Sequence, residues 1–168
     1  VTRPDTRPVE STRYLAEHLA ERGSYTFAVT DGAWMSSVLG FARGFAAWEE
    51  GGGPMRRLGL EQGLAIASKT LQQILADRPW FALLHTYDVH CPYSPPEPFY
   101  STFQTPGRAE LDTVGKCGNP HYNTMEVDEA TLATISDRYD GGVRYVDALL
   151  GSFLAWMQEK GHLENTIV

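Results

Sequence analysis

The sequence predicts an α/β protein built on a parallel sheet. Helix-like and strand-like patterns alternate along the chain, which is the signature of strands joined by helical crossovers. The segment Trp80 to Thr86 (WFALLHT) is apolar on both faces, as a parallel strand covered on two sides would be. The segment Leu58 to Ala76 carries a broad apolar helical face through Leu60, Leu64, Ile66, Ala67, Leu71, Ile74 and Leu75.

The first dozen residues, rich in Pro, Arg and Thr, read as an extended arm. Thr12 to Arg22 places Tyr14, Leu15, His18 and Leu19 at helical spacing, and Gly23 stands where a C-terminal helix glycine belongs. Tyr25 to Thr30 (YTFAVT) has the aromatic and β-branched content of a strand. Asp31 to Pro54 is glycine-rich and aperiodic, and is expected to be loop. The helix from Leu58 ends before Asp77-Arg78-Pro79, because proline disfavours a helical residue before it. A long proline-rich segment follows from Asp88 to Val127, of a length that is uncommon unless functional. Asp128 caps a helix expected over Ala130 to Lys160, with Gly141-Gly142 expected to kink it or to allow close packing. Asn165 to Val168 is expected to open another strand.

Composition bounds the function. The 168 residues fit one domain, and 42% hydrophobic content supports a core. Fourteen basic against 21 acidic side chains give a formal charge of −7, which argues against a nucleic-acid protein held by a basic face. No apolar run approaches the ~20 residues of a membrane span, and the first residues show no apolar targeting segment. Cys91 and Cys117 form no metal-type pair; two free thiols are the favoured reading, with a bridge the alternative if the protein is exported.

Ligands on parallel sheets bind beyond the carboxyl ends of the strands. Two segments qualify, one opening at Asp31 and one at Asp88. His85 and His90 are five residues apart, so strand alternation separates them and a shared metal is not expected. His85 reads as a core histidine. His90, before a proline-stiffened loop, is better placed to meet a ligand, where imidazole can bind an anion or protonate a leaving group. Asp31-Gly32 fits ordinary turn chemistry as well as a site. Gly51 to Gly53 lacks the rest of a phosphate-binding motif and reads as a flexible loop. Trp34, Phe41, Phe45 and Trp48 fit either a pocket or the core, and the core is the simpler use.

Three segments resemble the sulfatase branch of the alkaline phosphatase superfamily. P-W-F-A-L-L-H-T-Y-D-V-H-C-P-Y-S-P-P from Pro79 is similar to the family's P-F-F-x-x-L-H-x-x-D-P-H-x-P-Y-x-P-P. R-Y-D-G-G-V-R-Y-V-D-A-L-L-G from Arg138, followed by G-H-L-E-N-T-I-V from Gly161, resembles a family helix and its sequel. L-A-E-H-L-A-E-R-G-S-Y-T from Leu15 resembles an earlier helix and strand. The matches occur in family order.

The resemblance implies a three-layer α/β/α fold with a mostly parallel sheet, of which residues 1–168 would be the central part of a single catalytic domain, incomplete as given. It implies hydrolysis of sulfate esters by a formylglycine made from Cys or Ser in a C/S-x-P-x-R motif, and a divalent cation, commonly Ca²⁺. No such motif occurs here, and no metal ligand is assigned to this chain. His90 matches the second histidine of H-x-x-D-P-H, implying a catalytic and sulfate-binding role. Asp88 matches the aspartate, and Val89 replaces the usual proline. The family's G-K-W-H-L-G is replaced by Thr30-Asp31-Gly32-Ala33-Trp34, so Asp31 and Ala33 stand where a Lys and a His contact sulfate. Asp31 is therefore a substrate-binding candidate whose charge works against sulfate unless another group compensates. The implied partner is a sulfated small molecule or glycan, and members are often exported. Phosphodiester chemistry on the same fold, or a non-catalytic remnant, are the alternatives.

Overall fold

A computed structural model describes residues 11–53, 56–74, 77–105 and 128–168. The chain divides into two compact units, residues 1–87 and 88–168. The expected extended arm falls mainly outside the described residues, as do Leu75, Ala76, Cys117 and the second half of the proline-rich segment. No helix among the described residues is long and apolar enough to cross a membrane.

The first unit is α/β with an all-parallel sheet. Helix α1 (Leu15–Glu21) leads through Gly23, at φ +90°, into strand β1 (Tyr25–Thr30). Glu17 reaches back to accept from the Tyr14 amide at 2.8 Å, which satisfies one open donor of the helix start. The Tyr14 amide and the Arg43 guanidinium hold the Glu17 carboxyl below the usual range. The buried face of α1 centres on Ala16, whereas Leu15 is exposed. Tyr14 instead stacks on Phe41 and lies under the Arg43 guanidinium.

Strand β1 is buried on both faces, with Phe27 and Val29 on one and Thr26, Ala28 and Thr30 on the other. It is the central strand, in the order β2-β1-β3. Strand β2 (Ala47–Glu50) lies within the segment expected to be loop. Its four residues carry two glutamates and show no alternation, so only pairing of Phe27–Thr30 with Ala47–Glu50 makes it a strand. A short 3-10 turn, Ser37–Leu39, precedes it. Glu50 fastens that turn, accepting from the Ser37 amide and hydroxyl at 2.7 and 2.8 Å and from the Trp48 indole at 2.6 Å. Burial pushes the Glu50 carboxyl up, but these donors outweigh it and leave it below the usual range.

Helix α2 (Leu60–Gln73) buries Leu60, Leu64, Ala67 and Leu71, the stripe its periodicity predicts. Gly63 on that stripe lies against Val29 of β1. Burying each such leucine contributes about 1.5–3 kcal/mol. Strand β3 (Trp80–Leu84) pairs with β1 in register Tyr25 to Trp80. It is half-buried throughout rather than fully covered, because it is an edge of this three-stranded sheet.

The second unit holds α3 (Phe99–Thr102) and α4 (Glu129–Glu159). Asp128 caps α4 as expected, accepting from the Thr131 amide at 2.7 Å, and the Thr131 side chain, then its amide, hold the Asp128 carboxyl below the usual range. The glycine pair does not interrupt α4: Gly141 and Gly142 are buried inside one continuous helix. A Cβ at Gly141 would collide with the Phe99 carbonyl oxygen, and one at Gly142 would lie 3.6 Å from the Asp88 carbonyl oxygen. The glycines let the proline-rich segment approach the helix backbone. Asn165 to Val168 forms no strand, and Ile167 and Val168 are exposed. A strand needs a ladder partner, and this unit contains none among its described residues.

Candidate functional site

The carboxyl ends of β1 and β3 meet around one buried carboxylate. Asp31 follows β1 directly and is 1% exposed. Its Oδ1 accepts from the Gly59 amide at 2.8 Å. Its Oδ2 accepts from the Tyr87 amide at 2.6 Å and the Thr86 hydroxyl at 3.2 Å. Gly59 sits at the entry to α2, so one side chain ties β1, the segment after β3 and the start of α2 together. The sequence places Asp31 at the site edge. The geometry gives it internal partners for both oxygens.

The glycines beyond it are committed too. Gly51 donates to the Thr30 carbonyl at 2.8 Å, Gly52 to the Arg56 carbonyl at 2.8 Å, and Gly53 to the Asp31 carbonyl at 2.7 Å. Their amides therefore brace the loop instead of forming a cradle for phosphate. Gly32, at φ +76°, has no room for a Cβ beside the Gly51 carbonyl.

His85 continues β3, its amide donating to the Val29 carbonyl at 2.9 Å. Its ring is half-buried and meets Tyr87 edge-on at 4.7 Å. Its Nδ1 is buried with no hydrogen-bond partner among the described residues. Burial pushes its pKa down, and the Asp31 charge only partly offsets this. The sequence leads one to expect a satisfied core histidine. The ring is only half-buried and its Nδ1 is unsatisfied among the described residues, so that expectation is not met. Arg57, which no sequence motif singles out, donates from Nη1 to the Tyr87 carbonyl at 2.8 Å. Its position between a glycine loop and α2 was the available signal, and only the fold places this cation at the carboxyl edge.

In the second unit, His90 is exposed at the head of the proline-rich loop. Its Nδ1 lies 2.9 Å from the Cys91 carbonyl oxygen. A carbonyl only accepts, so Nδ1 donates and Nε2 carries the lone pair of the neutral ring. The loop is held on α4 by aromatic pairs, Tyr93 against Tyr139 and Phe99 against Tyr145, and by Arg138 over the Tyr100 ring. Cys91 is disulfide-bonded, which corrects the favoured free-thiol reading; the chain's other cysteine, Cys117, lies outside the described residues.

A divalent metal does not fit the residues described. No group of three or more His, Cys, Asp and Glu side chains converges among them. The buried carboxylate of Asp31 already accepts from protein donors on both oxygens.

A family model for sulfatases matches residues 59–168, well over half of the chain. The chain belongs to the sulfatase family. The matched span includes β3, His85, His90 and all of α4, the elements that carry the strongest motif. Among solved structures, the chain is similar to a protein in the alkaline phosphatase superfamily from Vibrio parahaemolyticus, at 20% identity and a TM-score of 0.48. That likeness covers 86% of this chain and 31% of the other, so the chain spans about a third of that protein's length. A comparison with curated proteins returns no match.

Proposed function

We propose that this sulfatase-family chain serves a hydrolase of sulfate esters, with His90 as the acid–base residue at the ester. The family match across the segment that carries His90 supports this reading most directly. His90 adds the chemistry. With Nδ1 donating to a backbone carbonyl, the imidazolium holds its exchangeable proton on Nε2, where a departing alcohol oxygen can take it. Asp31 organises the carboxyl edge of the first unit, since its oxygens are filled by the backbone that shapes that edge. Arg57 brings a guanidinium to that edge of the first unit, on the Tyr87 carbonyl.

The proposed nucleophile is a formylglycine from a C/S-x-P-x-R motif, which these residues do not contain. Ca²⁺ is the metal proposed for the complete enzyme, and no step is assigned to it. The disulfide at Cys91 supports an oxidising, exported setting.

The test is turnover by the protein expressed from its complete coding sequence. Release of sulfate from alkyl and aryl sulfates is the expected result. Hydrolysis of phosphodiesters without sulfate release would move the chain to the related phosphodiester chemistry. Turnover of neither would make it a non-catalytic relative.

A further inference from the structure

The disulfide at Cys91 lies one residue from His90, within the second unit. No cysteine is free among the described residues. The backbone on either side of this pair is seated on α4. On one side, a Cβ at Gly142 would lie 3.8 Å from the Val89 Cα. On the other, Tyr93 meets Tyr139 edge-on, and it holds φ +53°, a conformation that costs a non-glycine residue energy. Between these seats, Cys91 is held covalently. Its carbonyl oxygen is the acceptor 2.9 Å from His90 Nδ1. His90 is exposed, so burial does not choose its rotamer or tautomer, and this hydrogen bond does. The bond holds only while the carbonyl keeps its direction. The disulfide restricts the residue that owns that carbonyl.

We infer that the disulfide at Cys91 is a redox latch on His90. Closed, it aims the Cys91 carbonyl at Nδ1 and leaves Nε2 for the departing alcohol. Opened, it releases the ring and slows hydrolysis. The inference rests on the reading of His90 as the acid, and Cys91 is a positioning residue that acts through its neighbour. Cys91 is only partly buried, so a small dithiol reaches it. Opening is thiol–disulfide exchange. A thiolate of the dithiol attacks one sulfur of the bridge. The S–S bond breaks, and its electron pair leaves on the other sulfur, which takes a proton. The second thiolate of the dithiol then displaces the cysteine still attached. Two cysteine thiols form, and the dithiol departs as a cyclic disulfide, oxidised by two electrons. Such a latch confines full activity to oxidising surroundings.

The complete protein tests this before and after dithiothreitol, with alkylation and mass measurement confirming that the bridge has opened. Reduction is expected to lower kcat on an alkyl sulfate by about 10–100-fold, the scale for a displaced catalytic group. Turnover of 4-nitrophenyl sulfate, whose phenolate leaves without a proton, is expected to change far less. Cys91→Ser and Cys117→Ser are expected to show the same split and no response to the dithiol, which separates the bridge from any other action of the reagent. Undiminished alkyl sulfate turnover in the opened protein overturns the latch. Equal losses on both esters also overturn it, since they mark a general structural role. If the oxidised protein turns over neither ester, the sulfate reading fails separately. The latch is then judged by nitrogen NMR of the His90 imidazole, its signals assigned by their absence in His90→Asn. A neutral ring protonated on Nδ1 while the bridge is closed, and shifting toward the Nε2-protonated form once it opens, sustains the latch. A tautomer indifferent to the bridge removes it.

Discussion

The Tyr87 amide donates to Asp31 Oδ2 at 2.6 Å, joining the segment after one parallel strand to the end of its neighbour. The Gly59 amide donates to the other oxygen of the same carboxylate. Two backbone donors on opposite oxygens require an acceptor on both sides. Asp31→Asn supplies an acceptor on one side only and aims an N–H₂ at an N–H on the other. The expected loss is about 1.5–3 kcal/mol, the range for hydrogen bonds to a charged group. Urea unfolding measures it. A loss below about 0.5 kcal/mol would show that the carboxylate does not organise this edge.

Gly141 and Gly151 lie on the same helix in different surroundings. A Cβ at Gly141 strikes the Phe99 carbonyl, whereas one at Gly151 meets nothing within 4 Å. Helix propensity alone favours alanine at both by about 1 kcal/mol. Gly151→Ala is therefore expected to stabilise by up to that amount. Gly141→Ala is expected to destabilise by about 1–3 kcal/mol, because the backbone of α3 must shift. Thermal melts of the pair, read against wild type, decide it: two stabilising substitutions would mean that the Phe99 segment does not seat on α4.

These glycines also show what a linear reading can and cannot reach. Gly141-Gly142 was visible as an anomaly in an otherwise regular pattern, and close packing was one of its two expected causes. What packs there was not visible, since Phe99 and Asp88 are far away in sequence. Strand β1, the apolar stripe of α2 and the Asp128 cap were legible because each is set by neighbours a few residues apart. Strand β2 was not, because Trp48-Glu49-Glu50 gains its extended form from the ladder to β1. Asn165 to Val168 erred in the opposite direction: strand composition without a partner gives no strand. Asp31 was legible as the residue that follows the first strand, and His90 was marked only by its motif. The bonding that turns Asp31 inward depends on Gly59 and Tyr87, and no local pattern signals it.

His85 gives a pH signature. Burial holds its folded pKa below the unfolded value near 6.5. The unfolded chain therefore binds more protons than the folded one just below that pH, so stability rises with pH there and falls as the solution is acidified. His85→Phe removes the titrating group while keeping a ring for the edge contact with Tyr87. Chemical unfolding of both proteins at several values from about pH 7.5 down to 5 is expected to show a smaller acid-side loss in the variant. Parallel curves would assign the loss to other groups.

His90 can be separated into a tether and an acid. Nδ1 holds the ring to the Cys91 carbonyl, and Nε2 carries the chemistry proposed for it. The substitution His90→Asn places an amide N–H₂ where Nδ1 was and offers no acid, so it keeps the tether alone. Both His90→Asn and His90→Ala are expected to lower kcat on an alkyl sulfate by about 10²–10⁴-fold in the complete protein. The loss should be much smaller for 4-nitrophenyl sulfate, because that phenolate leaves without needing a proton. Steady-state kinetics on the two esters make the comparison. Equal losses on both would show that His90 is not the acid for the leaving group. Activity restored by His90→Asn alone would assign the residue to holding the loop.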